Sequence, residues 1–450
     1  MHIAAGLRLA RAPLPLARHG APAPHRTLER VNRSRTGARR ALIVALSTIT
    51  VAALAVGGYT AACALAPLPA PTIELSSAFT PGDDSAAVSA DPAAAQAAVD
   101  AQSLPTAIGY LHGDEVWAND PAAHPLASIS KLITVLVCME AQPLEPGSDG
   151  PVYTWTEADR ERQDAYLALD GVAYPIPVGT EITLRQMLHF IFLPSANDYA
   201  AAYAYWTFGD DDAFLAAVAD WKQRHGLESL QFVEPTGMDE ANMASAPDVL
   251  RIARLALQNP AVAEFTRTAA VEMPWGVGVI ENTNPLLTEM PGIVGVKTGR
   301  SGAAGFNFAV ARQVDVDGRE VVQLSVTLGR ESKEARAQSG RDMLAAHDTL
   351  PQSTAIVEAG TTVGEAVTVD GTRIPLVTAG GAAVTLLPGE RATRAAAVDV
   401  AALGEAGARV GAVTVEGPAP VEDVAVVASA AVAEPELWWR LTHPVELFGW

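Results

Sequence analysis

A serine and a lysine stand three residues apart in the stretch Ala127-Ser128-Ile129-Ser130-Lys131-Leu132-Ile133-Thr134. If that stretch is helical, positions i and i+3 share a face, and the Ser128 hydroxyl neighbours the Lys131 amine. A lysine takes a proton from a serine only when its own pKa falls, through a low-dielectric pocket or a nearby cation. The pair alone equally describes an ordinary helix start, so its meaning rests on the remainder of the chain. Ser130, the second hydroxyl of the stretch, has the wrong spacing to Lys131. Two further motifs follow in order, Ser195-Ala196-Asn197 and Lys297-Thr298-Gly299. Lysine is scarce: Lys131, Lys222, Lys297 and Lys333 are the only four, against 27 arginines. A position that keeps lysine in such a chain points to a need for a compact, titratable amine rather than a guanidinium.

The elements that must position these residues are legible in outline. Pro105 to Leu111 reads as a strand, with a turn at Gly113-Asp114 and a second strand at Glu115-Val116-Trp117. Leu132, Val135, Leu136 and Met139 recur at helical spacing behind Ser128. Residues 141–180 read as loop, with a short strand at Tyr153-Thr154-Trp155. Thr183 is placed to cap a helix carrying Leu184, Met187, Leu188 and Ile191, which Pro194 must end or kink. Residues 198–226 read as helices, and Pro247 to Leu257 as another. From 292 to 328 the period changes to strands, with a turn at Asp317-Gly318, and 332–347 reads as a closing helix. Helices placed between an early hairpin and late antiparallel strands predict an α+β domain. Residues 351–432 alternate short Val/Thr strands with Gly-containing turns and predict a small all-β domain.

Composition narrows the class. Residues 1–40 hold nine arginines and one acid, formally +8, which leaves −28 on the other 410 residues of a chain totalling −20. A body that acidic is a poor nucleic-acid binder, since phosphate contact needs a basic surface. Two cysteines, Cys63 and Cys138, exclude a disulfide framework, and the nine histidines show no metal-ligand spacing. Residues 1–40 read as a disordered basic cytoplasmic segment. Residues 41–66 carry no charge and are long enough to span a bilayer, with Arg39 and Arg40 setting the N-terminus inside. The expectation is an uncleaved signal anchor, with cleavage at Ala62-Cys63-Ala64, and hence secretion, as the second choice. A lipoprotein at Thr60-Ala61-Ala62-Cys63 is the third. Residues 67–104 read as an Ala/Pro/Asp-rich linker. The tail, 433–450, holds Trp438, Trp439 and Trp450 and reads either as a membrane-interface contact or as a segment docked on its own domain.

Together the three motifs resemble the set shared by penicillin-binding proteins and serine β-lactamases. The flanking ASISKLIT, FLPSANDYAAAYA and GIVGVKTGRSGAAGFNFAVA, with FVEPTGM at 232–238 and NPLL at 284–287, resemble the low-molecular-mass D-alanyl-D-alanine carboxypeptidases of peptidase family S11. The resemblance covers 105–348, within a domain set at 105–350. It implies the penicillin-binding transpeptidase fold, an antiparallel sheet flanked by helices plus a helical region. It also implies an enzyme at the outer face of the cell membrane that removes the terminal D-alanine of peptidoglycan stem pentapeptides and is acylated by β-lactam antibiotics. No metal or organic cofactor is implied.

By the same resemblance Ser128 is the nucleophile, Lys131 its base, Ser195 a proton relay and Asn197 a holder of the substrate amide. Lys297 supplies positive potential, while Thr298, Gly299 and Arg300 form the carboxylate-binding edge. The backbone N–H groups of Ser128 and Arg300 would make an oxyanion hole. Glu234 stands where the family usually has asparagine, which keeps a serine β-lactamase open as the alternative. A membrane-tethered, catalytically inactive wall-binding protein is the second.

Overall fold

The computed structural model describes residues 34–449. Of the basic segment expected to be disordered, 1–40, residues 1–33 lie outside the described residues, and 34–40 belong to a helix instead. The described chain divides into two units: the N-terminal helix with residues from Glu434 onward, and a body spanning Ala70–Ala433.

In the first unit a helix runs Ser34–Leu65, and its stretch Gly37–Leu65 is long and apolar enough to cross a membrane, with a mean hydropathy of 2.2. At about 1.5 Å per residue it exceeds the roughly 30 Å of a bilayer's hydrocarbon core. Ala62, Cys63 and Ala64 lie inside this helix rather than in an extended segment. The C-terminal segment forms two short helices, Leu437–Thr442 and Pro444–Phe448.

In the body, five antiparallel strands form the central sheet in the order Ile293–Ser301, Gly305–Val316, Arg319–Arg330, Thr106–Tyr110, Val116–Ala118. The reading of an antiparallel sheet flanked by helices therefore holds. Asp317 and Gly318 both have positive φ, the geometry of a tight hairpin turn that matches strand twist. Helix Ala246–Gln258 presents Val249, Leu250, Ile252 and Ala253, all fully buried, and helix Lys333–His347 packs on the sheet with Met343 and Leu344. The helical region comprises Ser130–Ala141, Glu157–Ala168, Leu184–Phe192, Asn197–Phe208 and Asp211–Arg224.

Two further expectations needed correction. Residues 141–180, read as loop, contain the helix Glu157–Ala168. Its sequence EADRERQDAYLA lacks an apolar stripe, so periodicity could not reveal it. What starts it is a capping box between Thr156 and Asp159. Residues 67–104, read as a linker, carry strands Thr72–Leu75 and Ala87–Ser89 and helix Ala93–Asp100. The two strands form the opposite edges of a seven-stranded sheet whose inner strands come from 362–428. Phe79 and Ala90, on the same stretch, sit in that domain's core, with Phe79 2% exposed. Burying such a side chain contributes about 1.5–3 kcal/mol. Strands of three or four residues in an Ala/Pro/Asp background are too short to announce themselves, and only their pairing partners 280 or more residues away identify them.

Candidate active site

Ser128 lies in a short 3-10 turn, Ala127–Ile129, immediately before the helix Ser130–Ala141. Leu126, Ile129, Leu132 and Ile133 are fully buried and fasten the turn to the core. Ala127 has φ +48°, a conformation that residues with side chains seldom adopt and that persists where the surroundings enforce it. One enforcing neighbour is Gly237, which packs so closely on the Ala127 carbonyl that a Cβ there would collide with it.

Lys131 is completely buried. Its Nζ lies 2.9 Å from Ser128 Oγ, 2.6 Å from Asn197 Oδ1 and 2.7 Å from the Thr236 carbonyl oxygen. Three partners match the three donors of an ammonium. Once the amine is neutral, only one partner can return a proton to its lone pair, because Asn197 Oδ1 and Thr236 O solely accept. That partner is Ser128. Burial pushes the Lys131 amine down to about 7, while the charges of Glu234 and Asp198 hold it from falling further. Asp198 is itself buried, and desolvation raises its carboxyl to about 7 against hydrogen bonds from Gln163, Tyr174 N and Tyr199 N.

Helix Leu184–Phe192 starts with the expected Thr183 cap, closed by Gln186 into a capping box. After Pro194 the chain turns through Ser195, which at φ +70° is a second residue held in the left-handed region. Asn197 opens the next helix and donates its N–H to Val172 O at 2.7 Å. Ser195 Oγ accepts from Lys297 Nζ at 2.9 Å, and Lys297 is 2% exposed. Burial, then the positive charges of Lys131 and Arg336, hold the Lys297 amine well below the ordinary lysine value.

Lys297, Thr298, Gly299 and Arg300 lie on the edge strand Ile293–Ser301. Gly299 permits this strand to lie against the Ala127–Ile129 turn, since a Cβ there would press on the Leu126 carbonyl. Ser128, Ser195, Asn197, Thr298, Gly299 and Arg300 all line one cavity of about 810 Å³, and the two lysines are buried beside its serines. All eight residues singled out in the sequence are therefore brought together.

Sequence reasoning missed two lining groups. Thr283 shares a 2.6 Å hydroxyl–hydroxyl bond with Thr298. Arg336, 6% exposed on helix Lys333–His347, places its guanidinium about 5.9 Å from the rings of both Phe306 and Phe308. It donates to Thr283 O at 3.2 Å, while its Nε has no partner among the described residues. As one of 27 arginines it carried no local signal. Ser130, set aside on spacing, points away and accepts from Asn242 Nδ2 at 3.1 Å. Glu234 does not line the cavity, although Gly237 and Met238 of the same loop do.

The sequence profile of the D-alanyl-D-alanine carboxypeptidases, peptidase S11, matches residues 94–331. The chain belongs to that family. It is similar to D-alanyl-D-alanine carboxypeptidase DacF of Bacillus subtilis, 30% identical over 40% of this chain and 46% of that one. It is also similar to a D-alanyl-D-alanine endopeptidase of Escherichia coli, 28% identical over 42% of this chain and 60% of that one. The matched part thus spans about half of these relatives' length. Among solved structures, D-alanyl-D-alanine carboxypeptidase DacD from Francisella tularensis covers 74% of this chain and 94% of its own at a TM-score of 0.50 and 16% identity, a likeness of fold.

Proposed function

We propose that this protein is a serine-type D-Ala-D-Ala carboxypeptidase acting on peptidoglycan stem pentapeptides through a Ser128 acyl-enzyme. The observation that carries the reading is the 2.9 Å contact between Ser128 Oγ and a fully buried Lys131 amine held near neutrality. Ser128 Oγ attacks the carbonyl carbon between the two D-alanines as its proton passes to Lys131 Nζ. The developing oxyanion sits between the backbone N–H groups of Ser128 and Arg300. The carbon–nitrogen bond then breaks as the proton taken up by Lys131 passes by way of Ser195, bonded to Lys297, to the departing amine, which leaves Lys131 neutral. Asn197 holds the substrate amide. Thr298 and Arg336, with Arg300 at the rim, bind the terminal carboxylate of the leaving D-alanine. Water, deprotonated by Lys131, hydrolyses the ester and frees Ser128. A β-lactam would enter by the same attack and leave Ser128 acylated. The helix Gly37–Leu65 is read as a single-pass anchor holding the body outside the cytoplasmic membrane.

Labelled penicillin added to the detergent-purified full chain tests this. A long-lived adduct at Ser128, lost in Ser128→Ala, with D-alanine released from a stem pentapeptide, is expected. Rapid turnover of the drug would indicate a β-lactamase, and no adduct a binding protein.

A further inference from the structure

Glu234 is engaged by its own loop. Its carboxylate accepts from Thr236 N at 2.8 Å, Thr236 Oγ1 at 2.7 Å, Gly237 N, Asp239 N at 3.3 Å and Asn242 Nδ2 at 3.1 Å. The loop so gathered presents the Thr236 carbonyl to Lys131, the Pro235 carbonyl to Thr134 Oγ1 at 2.7 Å, and Gly237 to the strained Ala127. The geometry assigns Glu234 as a positioning residue that sets the Ser128–Lys131 pair, rather than a base for deacylating water. Around Lys131 the charged and titratable groups are Glu234 on this loop, Asp198 and Lys297 on their helix and strand, and Tyr166, whose phenol burial and Glu234 push up to about 12.

This proposal rests on the Ser128 acylation reading. In Glu234→Gln the amide would place a donor against donors, and loss of the charge lowers the Lys131 pKa. Acylation by penicillin is expected to slow at least tenfold with its acid limb moved to lower pH, while the adduct's lifetime stays within twofold. Unchanged acylation with a lengthened adduct would overturn the positioning role and restore a deacylating base. Absence of an adduct in the wild type would instead overturn the acylation reading itself.

Discussion

The domain that carries the candidate site and the β domain spend their buried volume differently. Around the site Lys131, Lys297, Asp198 and Arg336 are all buried, and the same domain also buries Asp159, Asp248, Arg254, Arg330 and His347. In the β domain the buried set is apolar, chiefly valine with Ile356, Ile374, Leu376 and Leu386, and its only buried polar side chains among the described residues are Thr368 and Thr378. An unpaired buried charge costs several kcal/mol, so such groups survive only with hydrogen-bond partners. Each lysine of the site has them. The difference teaches that one domain accepts an electrostatic cost to hold two amines well below the ordinary lysine value, while the other is built for packing alone.

Substitutions should separate these roles. Lys131→Met keeps the volume but removes the proposed base, and acylation should fall by about 10²–10⁴-fold with the fold intact, read by penicillin kinetics and circular dichroism. Arg336→Leu should raise KM for a substrate carrying a free terminal carboxylate by roughly 10–100-fold, the loss of charge-assisted hydrogen bonds, with a smaller change in kcat. The acylation rate of the wild type should fall about tenfold per pH unit below the Lys131 pKa of about 7, because the protonated amine cannot accept the serine proton. A flat profile between pH 5 and 8 would remove Lys131 as the base. Phe79→Ala should lower the β domain's stability by about 3–5 kcal/mol yet change kcat less than twofold. A large effect on kcat would mean that the two domains are not separable in role.

The sequence alone was enough to place the three motifs in order, the uncharged span, the Thr183 cap and the strand-rich region after 292. Each depends on neighbours within about ten residues, where periodicity and turn chemistry act. It also flagged Glu234 as unusual, without revealing that the carboxylate is engaged by its own loop. What lay beyond it depends on partners distant in the chain. Arg336 matters because two phenylalanines and Thr283 surround it, and Thr72–Leu75 is a strand because Thr362–Val367 lies beside it. The pKa of Lys131 likewise belongs to no local pattern. Desolvation by the packed core and two carboxylates from other segments set it, so only tertiary structure gives a serine and a lysine three residues apart the buried, near-neutral amine that the proposed chemistry requires.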